Sequence, residues 1–220
     1  MKHIIKGNEP QSLKKYRLET PNATYKGLSR EEVRKKLIEE QGAICAYCMC
    51  RISNNKNKKA NNLSIEHYRS QYRHKNFELT YNNMLGVCNG NAGGPSNKLI
   101  CDKSKSKFDR THDLTVDPLM VERINQIKYT KEGEIHSNNK DINRDLNEIL
   151  NLNEQQLKEE RSTVYKHTKK KIKSFWAKAK GNRTKVRSLL LSEMQNLDSK
   201  DFSPLCGVSI YLINKQLAKV

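Results

Sequence analysis

Residues 44–50 read Ile-Cys-Ala-Tyr-Cys-Met-Cys, and residues 63–68 read Leu-Ser-Ile-Glu-His-Tyr. Cys45 and Cys48 stand at a spacing that lets two thiolates face one tetrahedral ion. Cys88 and Cys101 supply a second pair, and Glu66-His67 lies between the two pairs. The surrounding segment, 43–110, has only short apolar runs: Ala43-Ile44, Leu63 to Ile65 and Met84 to Val87. Loops rich in Asn, Lys and Gly separate them, and a stretch with so little core needs a staple. The pattern predicts a structural zinc ion held by Cys45, Cys48, Cys88 and Cys101. The competing reading is a set of small buried hydrophobes. Twelve residues separate Cys88 from Cys101, a wide gap for a ligand pair. Cys50 and Cys206 stand outside the set, with Cys50 close enough to compete as a ligand.

Before this segment, residues 1–42 predict an arm and a helix. The first 28 residues read as an extended arm turning at Pro10 and Pro21. Ser29 and Glu32 have capping-box spacing, and Leu28 and Val33 sit where a hydrophobic staple belongs. Val33, Leu37 and Ile38 give the apolar stripe, and Gly42 closes the helix.

After it, residues 111–220 predict a mixed and then helical region. Ile127 to Tyr129 and Glu134 to His136 flank Gly133, a hairpin pattern. From Asp141 onward apolar residues recur at helical spacing. Ile142, Leu146, Ile149 and Leu150 form one stripe, and Leu157, Val164, Thr168, Ile172, Phe175 and Ala179 another. Gly181 ends that second helix, and Val186, Leu189, Leu190, Met194 and Leu197 follow. Ser203-Pro204 reads as an N-cap and first helical residue for a last helix carrying Val208, Tyr211, Leu212 and Leu217. So many stripes on so few residues predict a leftover apolar patch, which marks an interface.

Charge points to a polyanionic partner. There are 42 Lys and Arg against 24 Asp and Glu, a net of +18. Such a field attracts DNA or RNA. From Glu154 to Arg187 there are 12 basic and 3 acidic residues, half of the total excess. Lys169, Lys170, Lys171 and Lys173 lie beside Phe175 and Trp176, a candidate strand-binding surface with aromatics to stack on bases. A solvated helix face and a docking face for an acidic partner are the alternatives. No run of apolar residues has the length of a membrane span, and the start has only Ile4 and Ile5 where a signal core would be. The expectation is a cytoplasmic protein, without a membrane, whose six cysteines are reduced.

The order of a CxxC knuckle, an acidic residue before His67, Asn83 five residues before Cys88, and Cys101 followed by polar and basic residues resembles the HNH endonuclease finger. More narrowly, the chain is similar to the HNH protein of Septu-type antiphage systems. That similarity takes in the arm with Pro10 and Leu13, Asp117-Pro118, and the Phe202-Ser203-Pro204 entry to the last helix. The family has His or Asn where this chain has Asp102. The resemblance implies an α+β fold in which a zinc-stapled ββα-metal finger is inserted between the N-terminal arm and helix and the α-helical C-terminal region. It also implies a partner, an ABC/SMC-like ATPase, and in some versions a retron reverse transcriptase with its noncoding RNA.

Hydrolysis of a phosphodiester needs an activated water and neutralisation of growing charge. His67 suits the general base. Glu66 is placed to bind a catalytic Mg2+ or Mn2+, and Asp102 can add a second oxygen. The resemblance gives Asn83 the role of orienting the loop or the His67 ring, or of touching the metal. The competing readings are a surface or zinc-bound histidine for His67, a turn residue for Asn83 and a helix cap for Asp102. For the whole chain, the alternative to an endonuclease is a non-catalytic zinc-stapled module that binds nucleic acid or scaffolds the ATPase.

Overall fold

The computed structural model describes residues 1–54, 63–197 and 202–220 of a mixed α+β chain. Two short helices come first, α1 (Gln11–Glu19) and α2 (Glu31–Glu40). The cysteine-bearing segment follows, with β1 (Ser64–His67), β2 (Met84–Val87) and α3 (Cys101–Lys105). Next come α4 (Val121–Ile124), β3 (Ile127–Tyr129), β4 (Ile135–Ser137) and α5 (Lys140–Arg144), the last running into a π-helical turn at Asp145–Ile149. Three longer helices close the chain: α6 (Gln155–Lys178), α7 (Arg183–Leu197) and α8 (Cys206–Leu217).

The arm is not extended throughout. Pro10 starts α1, and its carbonyl accepts from the Leu13 and Lys14 amides. A proline's fixed φ suits the residue that opens a helix. Leu13 then packs α1 against Leu28, Val33, Leu37, Leu79, Tyr81 and Met84. The capping box at Ser29 does not form either. Arg30 occupies the N-cap position of α2 without a side-chain cap bond, and Glu32 instead accepts from the Ser12 amide at 3.3 Å. Gly42 closes α2 at φ +53, with the Phe202 ring so near that a Cβ would fall 2.4 Å from it.

β1 and β2 pair antiparallel, with Glu66 opposite Leu85 and His67 opposite Met84. β3 and β4 pair with Tyr129 opposite Ile135. Gly133 makes their turn at φ +85, and an added Cβ there would fall 1.9 Å from the Lys158 carbonyl of α6. The buried Arg161 fastens this turn to α6. Its Nε donates to the Gly133 carbonyl at 2.7 Å and its Nη2 to the Leu152 carbonyl at 2.7 Å.

The C-terminal stripes turn inward. α6 packs on α7 and α8 and buries Leu157, Thr168, Ile172 and Phe175. Val186, Leu190, Val208 and Leu212 join the same cluster, and so do Ile44, Tyr47, Met49, Ile52, Leu85 and Val87 of the cysteine segment. That segment therefore has an apolar core as well as its four cysteines. It shares a core with the helical half, which absorbs most of the expected leftover patch. Leu191 of α7 remains exposed, as do Met120 and Val121 at α4. The last helix begins at Cys206, two residues after the Pro204 start expected for it. Leu205, in the left-handed conformation, gives its N–H to the Met49 carbonyl, so the entry is spent docking on the cysteine knuckle. Among the described residues no helix is long and apolar enough to cross a membrane.

Candidate metal centre and carboxylate cluster

The knuckle is a tight backbone loop. The Cys45 amide donates to the Cys50 carbonyl at 2.9 Å, and the Met49 amide to the Cys45 carbonyl at 3.0 Å. Met49 takes φ +62 to close it. The Ala46 amide donates to the Gly86 carbonyl, which fastens the knuckle to β2. Gln41 completes that join from α2. Its amide nitrogen donates to the Ile44 and Gly86 carbonyls at 2.9 and 2.7 Å, and its oxygen accepts from the Gly86 amide at 2.7 Å. Cys88 leaves the end of β2. Cys101 opens α3 at φ +53, with its amide on the Leu150 carbonyl.

These supports bring Cys45, Cys48, Cys88 and Cys101 together, all buried, with ligand atoms within 4.8 Å of one another. Cys45 and Cys101 Sγ are 3.8 Å apart, and Cys48 and Cys88 Sγ 3.7 Å apart. Four sulfurs each about 2.3 Å from one tetrahedral ion stand about 3.8 Å from each other. The four cysteines can hold a metal ion such as zinc. Burial opposes ionisation of the Cys45 thiol, but hydrogen bonds with Cys101, Cys48 and Cys88 outweigh it and hold that thiol well below its usual range. Cys50 stays outside the cluster, half-buried, with Sγ 3.9 Å from Glu160 Oε2.

Near the cluster lie two carboxylates: Glu66, which is buried, and Asp102, half-buried and 3.4 Å from Lys103 Nζ. Glu66 on β1 neighbours Asp102 on α3 and accepts from Tyr47 Oη at 3.4 Å. Burial pushes the Glu66 carboxyl well above the usual carboxylate range, and the charge of Asp102 adds to the shift. Lys105, one turn along α3, pulls it back with Nζ at 2.8 Å from Glu66 Oε1. The same ammonium reaches Asp109 Oδ1 at 2.8 Å and the His67 carbonyl at 3.3 Å. Asp102 is not the cap of α3, since Ile100 holds that position. Two neighbouring carboxyl groups, one of them buried, favour a proton or a cation between them, and the Lys105 ammonium already sits on Glu66. Among the described residues, the four cysteines are the one convergent set of three or more metal-ligating side chains. A cation at Glu66 and Asp102 would thus have two protein oxygens, a set that suits Mg2+ or Mn2+ keeping its waters.

His67 alternates to the other side of β1. Its Nε2 lies 2.9 Å from the Glu78 carbonyl, an acceptor only, so Nε2 carries the hydrogen. Nδ1 then presents a lone pair, which accepts from Gln71 Nε2 at 2.9 Å. The Tyr25 ring meets the imidazole edge-on at 4.5 Å. Burial lowers the His67 pKa, against the pull of its bond to Glu78. Burial raises the Tyr25 phenol, while Arg30, hydrogen-bonded to it, and Arg34 draw it back.

Asn83 is saturated by backbone. Its Oδ1 accepts from the Arg69 amide at 2.7 Å, and its Nδ2 donates to the Arg69 and Phe77 carbonyls. It folds the loop that follows His67. The basic stretch is only partly as expected. Lys169, Lys170, Lys171 and Lys173 are exposed on α6, but Lys171 pairs with Glu193 at 2.6 Å. Phe175 is buried in the core and Trp176 is half-buried against it, so Phe175 is not a stacking platform.

Sequence reasoning missed Lys105, Gln41, Gln71 and Tyr25. For Lys105 a signal existed, since it follows Asp102 by three residues on one helix face. No protein-family model matches the chain, and no curated protein matches it.

Proposed function

We propose that this chain is a metal-dependent endonuclease of the HNH type, with its ββα-metal finger stapled by a structural zinc on Cys45, Cys48, Cys88 and Cys101. One observation carries the reading. Glu66, the neighbour of Asp102, precedes His67 on β1, and the His67 Nε2–H is pinned to the Glu78 carbonyl while Nδ1 keeps a lone pair. The strand, strand, helix order of β1, β2 and α3 supports it.

His67 would take the proton of the attacking water at Nδ1. The new P–O bond then forms as the bond to the leaving oxygen breaks. Gln71 holds the Nδ1 lone pair in the free chain and swings aside for substrate. A Mg2+ or Mn2+ ion on Glu66 and Asp102 would supply charge neutralisation at the phosphate and the leaving oxygen. Asn83 would keep the loop after His67 in shape. The wider reading places the chain as effector subunit of an ATPase-linked antiphage complex of Septu type, or of retron type where a reverse transcriptase and its noncoding RNA are encoded beside it. The exposed apolar side chains Met120 and Val121 offer a surface for the ATPase.

A second reading has its own observation. Lys105 already neutralises Glu66, as a purely structural ion pair would. That favours a non-catalytic zinc-stapled binding or scaffold module. Incubation of the purified chain, alone and with its ATPase, with DNA and RNA in Mn2+ or Mg2+ separates the two. Cleavage that disappears in His67→Ala supports the nuclease. Binding without cleavage under every condition supports the module.

A further inference from the structure

A polar cavity of about 520 Å3 opens at the start of α2, lined by Leu28, Ser29, Arg30, Glu31, Arg34 and Asn54. Neither Arg30 nor Arg34 forms an ion pair with another described residue. Arg34 Nε is buried and has no hydrogen-bond partner. A buried guanidinium N–H without an acceptor is costly, and an oxygen from a ligand would satisfy it. Glu31 is the one carboxylate among the described lining residues and is exposed. Arg30 places Cζ 5.4 Å from the Tyr25 ring centre, and that ring meets His67 edge-on at 4.5 Å. The Arg30 guanidinium and the imidazole thus both neighbour one aromatic ring.

We infer that this cavity is a subsite for a backbone phosphodiester of a nucleic-acid strand, held by Arg30 and Arg34, with Tyr25 spacing that phosphate from the one offered to His67. The placing of His67 at the reacting phosphate rests on the nuclease reading, while the phosphate binding does not. A guanidinium fork matches two phosphate oxygens, which an ammonium cannot do. Contacts of this kind fix the register of the strand and read no bases.

The test is binding of fluorescein-labelled single-stranded DNA and RNA to the full zinc-loaded chain, without divalent cation, across a salt series. The chain carrying both Arg30→Gln and Arg34→Gln should bind at least about tenfold more weakly. Its plot of log affinity against log salt should be shallower by about 0.7 for each phosphate that the variant no longer neutralises. Arg34→Lys keeps the charge and should recover the slope but not the full affinity. Unchanged zinc content and melting temperature exclude a folding defect. Wild-type affinity and slope in the double variant overturn the subsite. The nuclease reading is scored separately by adding Mn2+. If the wild type never cleaves but the double variant has lost binding, the subsite stands and the nuclease falls. If the wild type cleaves and the double variant binds and cleaves alike, the reverse holds.

Discussion

Lys105 Nζ lies 2.8 Å from Glu66 Oε1, and both side chains are almost wholly buried, at 3 % and 6 % exposure. Removing Lys105 leaves the buried Glu66 carboxyl either charged without its partner or obliged to bind a proton, at a cost of up to about 3–5 kcal/mol. Lys105→Met should therefore lower the melting temperature sharply at neutral pH. The Glu66 carboxyl is already raised above its usual range, by burial first, and losing Lys105 raises it further. A raised carboxyl contributes stability below about pH 4.3 and loses it as pH rises through the folded value. The variant should thus recover relative to wild type on acidification, and added Mn2+ should recover it at neutral pH. A Lys105→Met chain that melts like wild type would refute the pairing.

The cysteine geometry predicts about one zinc per chain in metal analysis of the purified protein. Cys48→Ser should lose the ion. Metal-free wild-type protein, or full zinc retention by Cys48→Ser, contradicts the assignment.

His67→Ala should reduce cleavage by about 10²–10⁴ while keeping zinc and the fold. Burial lowers this imidazole's pKa, so the neutral base persists into mildly acidic solution. The acid limb of the rate profile should lie below about pH 6.5. The same sign governs stability: the contribution of His67 is full above about pH 6.5 and is lost as pH falls through the depressed folded value. A wild-type rate in His67→Ala removes it from the chemistry.

Asn83→Ala removes three hydrogen bonds to the backbone of Arg69 and Phe77. The expected loss is about 2–3 kcal/mol, or roughly 4–10 °C in melting temperature, with zinc retained. An unaltered melting curve would mean that Asn83 does not clamp the loop.

Lys6 is buried between Glu40, at 3.2 Å, and the Tyr81 ring, at 3.4 Å. Burial lowers its pKa to about 8 against the pull of Glu40. A lowered pKa contributes stability above the unfolded value, about 10.4, that is lost as pH falls through about 8. Wild-type unfolding free energy should rise with pH across that window, measured by denaturant titration, and Lys6→Met should flatten the rise. Parallel pH curves for the two proteins would exclude it.

The sequence by itself determined the features that repeat at local spacing. The Cys45–Cys48 knuckle, the β3–β4 hairpin at Gly133, the Gly42 and Gly181 helix ends and the α6 stripe were legible because each depends on neighbours a few residues away. Local rules also misled where a distant group competed. Glu32 bonds Ser12 rather than capping with Ser29, and Ser203-Pro204 gives way to a turn that docks Leu205 on Met49. Only the tertiary structure decided that the cysteine segment and the C-terminal helices share one core, because burial of an apolar stripe depends on what faces it. The surroundings of the candidate site came from the same source. Lys105 against Glu66, Gln41 on Gly86 and Tyr25 on His67 join residues 39–45 positions apart, and hydrogen bonds and ion pairs act through space, not along the chain.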